Sequence, residues 1–338
     1  MKAVGVQRAL SIEDPTSLVD LTLPVPEPGP HDLLVQVEAI SVNPADYRVR
    51  QRKADDGRAA VLGWDVAGTV IAMGPEVRST FRPGDAVYYA GDLERPGANS
   101  EFHVVDARIV GHRPRSLSAA ESAALPLTAL TAWEALFDRM GLGPGGHRVA
   151  RNLLIVGGAG GTGSMAIQLA GLVPDLTIIA TASRPSSQTW CRRLGADLII
   201  DHFGDMRRQL RDHGHEQVDA ILLLQDPDAH FPTAAQLLAP QGVICSIVPF
   251  ERAPDLNVLM RKSATFAWEF MFTRPMWRTP DIEAQGRILD QVSALIDAGK
   301  VASAMTETLR PINAQNLRTA HRLLEGRRVI GKITLAGF

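Results

Sequence analysis

A glycine-rich stretch in the middle of the chain constrains the fold more than any other feature. Residues 153–156 form an apolar run typical of a buried strand, three glycines follow with the spacing G-x-G-x-x-G, and a helical pattern comes next. In such a turn the first glycine permits the turn, the second lets the backbone approach a pyrophosphate, and the third lets the helix pack on the strand. The start of the helix offers free N–H groups to the phosphates. The predicted dinucleotide site comprises Gly158, Gly160, Gly161, Thr162 and Gly163.

Length, charge and cysteine content narrow the class of protein. The 338 residues favour two domains, and a net charge of −2 gives no electrostatic case for binding nucleic acid or an anionic membrane. Cys191 and Cys245 are the two cysteines, far apart, which fits a reducing compartment without a disulfide framework. No run approaches the roughly 18 apolar residues of a membrane helix. We therefore expect a cytoplasmic protein with no membrane segment.

The residues before the glycine-rich stretch predict a β-rich domain. Short apolar or alternating runs are separated by glycine and proline turns, which is typical of an irregular, barrel-like β domain. These runs are residues 1–6, 33–40, 66–74, 82–91 and 101–111.

From residue 150 to 272, apolar runs alternate with helical patterns, which predicts a parallel, doubly wound sheet. An alanine- and leucine-rich stretch, 118–140, precedes this region. In it Ser118 and Glu121 form a capping-box signature, and Pro126 is expected to divide the stretch into two helices. The predicted strands are residues 153–156, 176–182, 196–200, 218–224 and 242–248, and residues 264–272 could add another.

Seven stretches in this order resemble the medium-chain dehydrogenase/reductase superfamily, most closely its zinc-free quinone oxidoreductase branch and bacterial "zinc-type alcohol dehydrogenase-like" proteins. The resemblance implies an α/β fold, in which a GroES-like β-barrel domain (1–124 and 300–338) encloses a Rossmann domain with a doubly wound parallel sheet (125–299). The stretches are ISVNPADYRVR (40–50), VLGWDVAGTVIAMG (61–74), FRPGDAVYYAGDLERPGANSEFHVVD (81–106), AALPLTALTAWEALFD (123–138), LLIVGGAGGTGSMAIQLA (153–170), LGADLIIDH (194–202) and GKITL (331–335).

The name of these relatives suggests zinc, but the three positions that match the superfamily's catalytic zinc ligands hold other residues. They hold Asn43, Trp64 and Leu127, where zinc members have Cys, His and Cys. An amide, an indole and an isobutyl group cannot replace thiolates and an imidazole in a tetrahedral zinc site. The loop that matches the structural zinc lobe, about residues 91–100, has no cysteine. We therefore expect no zinc.

Without zinc there is no Lewis acid to lower the pKa of an alcohol or to polarise a carbonyl. The zinc-free relatives reduce quinones or activated alkenes, whose own structure stabilises the electrons that arrive with the hydride. The resemblance thus implies hydride transfer to a quinone or an α,β-unsaturated carbonyl as a small-molecule substrate. Two alternatives stay open, a zinc-type alcohol dehydrogenase and a non-enzymatic NADPH-binding protein of the zeta-crystallin kind.

The residues after the second Rossmann strand favour NADPH over NADH. NAD-specific sites usually have an acid about 20 residues after the glycines, but Ser183 and Arg184 occupy this region without Asp or Glu. Both can bind a 2′-phosphate through charge-assisted hydrogen bonds. His202 matches a position near the adenosine phosphate in the family, or is a surface histidine. Lys332 resembles a lysine near the cofactor phosphates, or is a solvated strand lysine.

The candidate catalytic residues also follow from the resemblance. Asn43 matches an asparagine near the nicotinamide and the substrate, or is a turn residue before Pro44. Tyr47 could donate a proton or hydrogen bond to the substrate oxygen, or serve packing alone. Trp64 is expected to line the cleft. Thr131 matches a threonine at the nicotinamide, or bonds back to its own helix.

Further positions have less specific expectations. Asp46 either orients neighbouring backbone or acts as an acid, and Asp65 is expected to be structural. Val248 and Phe250 follow the last Rossmann strand, where backbone could meet the nicotinamide carboxamide. The resemblance implies a homodimer, in which residues 266–277 (FAWEFMFTRPMW) form either the edge strand at the two-fold axis or a wall of the cleft.

Overall fold

The structure, a computed structural model, describes residues 1–78, 81–143 and 146–338. These residues form sixteen strands. In chain order they are β1 (Lys2–Val6), β2 (Val19–Thr22), β3 (Asp32–Ser41), β4 (Ala60–Val61), β5 (Val66–Met73), β6 (Ala86–Tyr89), β7 (Phe102–Asp106), β8 (Gly111–His112), β9 (Asn152–Val156), β10 (Thr177–Thr181), β11 (Leu198–Ile200), β12 (Val218–Leu223), β13 (Leu238–Ser246), β14 (Thr265–Trp268), β15 (Met305–Leu309) and β16 (Lys332–Ala336).

The same residues form ten α-helices, two 3₁₀ turns (Ala107–Ile109 and Leu256–Lys262) and one π-helical segment (Glu134–Arg139). The α-helices are α1 (Pro44–Arg50), α2 (Ala119–Ala123), α3 (Pro126–Trp133), α4 (Gly161–Ala170), α5 (Pro185–Arg193), α6 (Met206–Asp212), α7 (Pro227–Leu237), α8 (Thr273–Trp277), α9 (Ala284–Asp297) and α10 (Ala314–Glu325). In the described part of the chain, none is long and apolar enough to cross a membrane.

The chain divides into two compact units. Residues 1–130 and 272–338 form the β unit, and residues 131–271 form the α/β unit. The predicted fold class is confirmed, because the strand pairs of the first unit are antiparallel except β15 with β16, and the second unit is built on a parallel sheet with helices.

The α/β unit contains a six-stranded sheet in the order β11-β10-β9-β12-β13-β14, with every neighbouring pair parallel. The order reverses between β9 and β12, as in a doubly wound sheet. Its central strands β9 and β12 are mostly apolar, with Asn152 and Asp219 near their starts, because strands of such a sheet are covered on both faces. Leu154, Ile221 and Ile244 are fully buried in a core that also contains Phe231 and Leu237 of α7.

The β unit contains a seven-stranded sheet with the path β15-β16-β3-β5-β6-β8, and β7 pairs with β3. A smaller sheet has the order β2-β1-β4. The capping box before α2 is confirmed: Ser118 Oγ accepts from the Glu121 N–H at 3.3 Å, and the Glu121 carboxylate accepts from the Ser118 N–H at 2.9 Å. Pro126 begins α3, so the stretch is divided into two helices.

The unit boundaries fall at 130/131 and 271/272, whereas the expected domain boundaries were 124/125 and 299/300. Helix α9 accounts for most of the difference, because it packs in the β unit. Tyr88 Oη donates to the Leu289 carbonyl at 2.6 Å, and a Cβ at Gly111 would lie only 2.4 Å from Leu289 Cβ. The apolar period of a helix predicts that one face is buried, but not which sheet covers it.

Candidate functional site

The glycine turn of the α/β unit joins β9 to α4. Gly157 has a φ of 96°, so the left-handed residue of the turn is Gly157, one position before the first motif glycine. A Cβ at Gly158 would lie 2.8 Å from Ala180 Cβ, so this position needs glycine for packing against β10. A Cβ at Gly163 would lie 2.4 Å from the Gly157 carbonyl oxygen, which agrees with the close strand–helix approach expected of the third glycine.

Gly160 differs from Gly158 and Gly163 because none of the described residues crowds it. It is the N-cap of α4 with φ −75° and ψ 176°, a conformation open to any residue. The nearest atom to a Cβ built there is the Gly157 carbonyl oxygen at 3.9 Å. Gly161 and Thr162 begin α4, where helix geometry leaves N–H groups without intrahelical partners. The turn therefore has open backbone at the position where the motif places a pyrophosphate.

Ser183 and Arg184 lie between β10 and α5, and both are partly exposed. Arg184 is the N-cap of α5, and its N–H donates to Ser187 Oγ at 3.1 Å. The Arg184 side chain therefore extends from the residue just before α5, near the end of β10. No carboxylate occurs between Thr177 and Ser187.

His202 follows β11 and is hydrogen-bonded beside the glycine turn. Its Nδ1 lies 3.1 Å from Thr181 Oγ1, which also accepts the Gly157 N–H at 2.9 Å, and its Nε2 lies 3.3 Å from Gln225 Nε2. Burial lowers the pKa of His202 and nearby His230 adds to this effect, so the ring is neutral at neutral pH. Sequence patterns did not predict a role for Thr181 or Gln225, because neither belongs to the glycine motif.

A pocket of about 470 Å³ lies next to His202 in the α/β unit. Phe203, Asp226 and His230 are among its lining residues, so its wall combines aromatic and polar groups. The rings of His202 and His230 meet edge to face, with their centroids 5.7 Å apart.

Val248 and Phe250 lie beyond the end of β13. Ser246 Oγ donates to the Val248 carbonyl at 2.9 Å, which holds this backbone close to the strand end. The Phe250 ring packs against Phe231 and Trp268, with centroids 5.4 and 5.6 Å away. The Phe250 side chain thus packs against other aromatic rings of the same unit.

In the β unit, four buried polar side chains lie at one end of three neighbouring strands. Asn43 comes just after β3, Asp65 just before β5, and Lys332 begins β16. β3 pairs antiparallel with both other strands, so these three positions meet at the same end. Asp46 joins them from the first turn of α1. We call Asn43, Asp46, Asp65 and Lys332 the polar cluster; none is more than 3% exposed.

Hydrogen bonds connect the polar cluster. Lys332 Nζ donates to Asn43 Oδ1, to Asp65 Oδ2 at 2.8 Å and to the Val42 carbonyl at 3.0 Å. Asn43 Nδ2 donates to Asp65 Oδ2 at 2.8 Å, and the Leu127 N–H donates to Asp65 Oδ1 at 2.8 Å. All three ammonium protons are therefore used, and the carboxylate of Asp65 connects three segments of the chain.

Asp46 fixes the backbone of Asn43. Asn43 is the N-cap of α1, Pro44 is at N1, and the Asn43 N–H donates to Asp46 Oδ2 at 2.5 Å. Burial raises the pKa of Asp46 to about 7, against this hydrogen bond and the Lys332 ammonium, which lower it. Burial likewise raises the pKa of Asp65, against Lys332 and its other donors.

The remaining candidate catalytic residues, Tyr47, Trp64 and Thr131, differ in how exposed they are. Tyr47 is partly exposed on α1, while Trp64 is 2% exposed, and its Nε1 donates to the Asp92 carbonyl at 3.1 Å. The Trp64 ring meets Phe272 edge to face at 6.3 Å. Thr131 is buried in α3. Trp64 therefore anchors the loop at Asp92 with its one polar atom, a contact that the sequence did not reveal.

The predicted role of Lys332 at the cofactor phosphates does not fit its placement, because its ammonium is buried and has three acceptors within the β unit. It is not a solvated strand lysine either. The sequence could not predict this arrangement, since Asp65 and Lys332 are 267 residues apart.

The residues at the three zinc-ligand positions do not fit a zinc ion. Asn43 Oδ1 already accepts from an ammonium group, the indole of Trp64 is a donor only, and Leu127 has an alkyl side chain. Within the described ranges, no group of three or more His, Cys, Asp and Glu residues could hold a metal ion.

Known proteins with similar sequences and structures agree with this architecture. Residues 29–124 match the alcohol dehydrogenase GroES-like domain family, and residues 194–335 match the zinc-binding dehydrogenase family. A zinc-type alcohol dehydrogenase-like protein of Staphylococcus aureus is 39% identical over 336 residues, 99% of each chain.

Two solved structures extend the comparison. A proposed zinc-dependent alcohol dehydrogenase from Rhizobium etli is 48% identical, with a TM-score of 0.96 over 100% of this chain and 98% of the other. The quinone oxidoreductase of Coxiella burnetii is 25% identical, with a TM-score of 0.82 over 100% and 99%. With these similarities across nearly its whole length, the chain belongs to the medium-chain dehydrogenase/reductase superfamily of oxidoreductases.

Proposed function

We propose that this protein is an NADPH-dependent, zinc-independent oxidoreductase that transfers hydride to quinones or α,β-unsaturated carbonyls. One observation carries the proposal: the chain combines a dinucleotide-type glycine turn with Asn43, Trp64 and Leu127 at the zinc-ligand positions. The similarity to a quinone oxidoreductase supports the substrate class. The names of other relatives mention zinc, but they describe those proteins. The residues at the zinc-ligand positions of this chain do not fit a zinc ion.

Gly160 supports a dinucleotide at the turn. The residues that the structure describes give no steric reason for glycine at this position. A pyrophosphate in contact with the backbone would give one, because a methyl group would occupy the space that its oxygens need. The N-terminus of α4 then adds N–H donors and the positive end of its dipole.

Ser183 and Arg184 support NADPH as the dinucleotide. A guanidinium and a hydroxyl at the end of β10 can both donate to a 2′-phosphate. An NAD-type site would need a carboxylate there, and none is present in this segment. We assign His202 to the same end of the cofactor, where its ring would act as a neutral hydrogen-bonding group.

The chain's own residues would orient the reactants and supply a proton. The nicotinamide provides the hydride when it is bound. Asn43 uses one N–H of its amide for Asp65, and we assign the second to the substrate oxygen. Tyr47, with a partly exposed phenol, is the proposed donor of the proton that the substrate oxygen requires. Thr131 is assigned to the nicotinamide side.

A substrate panel tests the proposal. Protein treated with a chelator and checked for zinc by elemental analysis should oxidise NADPH in the presence of benzoquinone or cyclohexenone. Cyclohexanone, the saturated control, should give no reaction, and ethanol with NADP⁺ should give none. Absence of turnover with every quinone and enone, or activity that depends on added zinc, would reject the proposal.

We also propose a homodimer formed through β14. This strand lies at the end of the six-stranded sheet, so its outer edge offers backbone groups for pairing. Trp268 and Phe270 are each 48% exposed, and Met260 is 75% exposed. Two copies related by a two-fold axis could pair these edges and cover the apolar side chains. Sedimentation velocity should give the mass of two chains, and the mass of one chain would contradict the proposed dimer.

A further inference from the structure

We propose that Lys332 is a positioning residue that, together with Asp65, holds the amide of Asn43 in a single orientation. Its effect on catalysis rests on the function proposed above, whereas its effect on the amide does not. The cofactor phosphates are then bound without Lys332.

The amide of Asn43 lies between opposite charges. Its oxygen accepts from the Lys332 ammonium, and its nitrogen donates to the Asp65 carboxylate. A carboxamide can be turned by 180° with little change in shape, so shape alone would not choose between the two orientations. In the turned orientation the NH₂ group would face the ammonium and the oxygen would face the carboxylate. Both contacts would change from attractive to repulsive.

The rest of the polar cluster leaves little freedom to relax. The Lys332 ammonium has a third acceptor in the Val42 carbonyl, adjacent to Asn43 in the chain. The backbone N–H of Asn43 is held by Asp46. Asp65 is held from its other side by the Leu127 N–H. Both the backbone and the amide plane of Asn43 are thus fixed, which presents its second N–H in one direction.

Lys332→Met tests this, because methionine keeps a long unbranched side chain and removes the charge. The rate of hydride transfer, measured by stopped flow with a single turnover of NADPH, should fall on the order of 10- to 100-fold, the scale of a misplaced reacting group. The dissociation constant of NADPH should stay within about twofold, since the ammonium does not serve the phosphates. A larger loss of NADPH affinity with an unchanged rate would instead assign Lys332 to the cofactor.

A second variant separates positioning from stability. Lys332→Met leaves two buried carboxylates without their cation, which is expected to lower the thermal midpoint. Asp65→Asn combined with Lys332→Met removes the charges of Asp65 and Lys332, leaves Asp46 in place, and should recover much of that stability. The hydride rate should stay low, because no charge then selects the amide orientation. Recovery of the rate together with stability would mean a structural role only.

Arg50→Met is the matched control in the same unit. The Arg50 side chain is 1% exposed and paired with Glu325 and the Leu10 carbonyl, outside the polar cluster. It should lower the thermal midpoint but leave the hydride rate per folded molecule near the wild-type value.

A readout without substrate keeps the two proposals distinguishable. The side-chain NH₂ signals of Asn43 in ¹⁵N spectra, assigned by their loss in Asn43→Ala, should exchange slowly with solvent in wild type and in Arg50→Met. They should exchange faster in Lys332→Met and in the double variant. Unchanged exchange in Lys332→Met overturns the positioning role, even if wild type reduces quinones. If the exchange rates are as expected but the wild-type protein reduces no substrate, only the proposed function is overturned.

Discussion

Replacing two motif glycines with alanine separates cofactor binding from folding of the turn. At Gly163 a Cβ would lie 2.4 Å from the Gly157 oxygen and 2.6 Å from the Gly158 oxygen, and these backbone atoms cannot move without opening the turn. Overpacking of this kind costs about 1–3 kcal/mol of folding free energy. At Gly160 the nearest atom would be 3.9 Å away, and the backbone conformation suits alanine.

Gly160→Ala should therefore fold normally and bind NADPH poorly. Its free energy of unfolding should be unchanged, or higher by about 0.4–1 kcal/mol because alanine restricts the unfolded chain. A methyl group that keeps a pyrophosphate from the backbone removes at least one charge-assisted hydrogen bond, worth roughly 1.5–3 kcal/mol. The dissociation constant of NADPH should rise by about 10- to 100-fold.

Urea unfolding and calorimetric titration with NADPH measure the two quantities for each variant. Gly171→Ala, at the other end of α4 with a φ of −62°, is the control that should change NADPH affinity least. Gly163→Ala should lose stability first and affinity as a consequence. If Gly160→Ala bound NADPH as tightly as wild type, the pyrophosphate would not lie against this turn, and the dinucleotide assignment would be refuted.

The other predictions concern specificity, acid stability and assembly. Arg184→Ala should reduce the preference for NADPH over NADH by about 10- to 100-fold in kcat/KM, since it removes a charge-assisted bond to the 2′-phosphate; an unchanged ratio contradicts the NADPH assignment. Burial lowers the pKa of His103 to about 4 and that of His321 to about 3, so the unfolded chain binds more protons than the native one as pH falls below 6.5. For His103 alone the free energy of unfolding should drop by about 3 kcal/mol between pH 6.5 and 4, and urea unfolding of His103→Gln should show a shallower decline. If the proposed dimer forms through β14, Trp268→Asp should produce monomers in sedimentation velocity, and a mass equal to that of wild type would contradict this contact.

The sequence predicted the positions of strands more reliably than it predicted which elements and side chains contact each other. Of the predicted strands, 33–40 and 66–74 correspond to β3 and β5 within one residue at each end, because apolar alternation is a local property. Helix α1 was missed, since Asn43 and Pro44 are equally typical of a turn. Gly157 was also missed as the left-handed residue, because the motif spacing starts at Gly158.

Sequence patterns could not predict that the polar cluster is buried, and the reason is physical. Each of its members, taken alone in a buried position, would be unfavourable by several kcal/mol, and each pattern therefore suggests an exposed residue or a turn. Burial becomes tolerable only when Asn43, Asp65 and Lys332 are present together, and they meet only because β16 and β5 both pair with β3 in a particular register. A shift of that register by one residue would move these side chains to the opposite face. The placement of the Asn43 amide thus depends on sheet topology, which is why the sequence identified the amide but did not place Lys332 beside it.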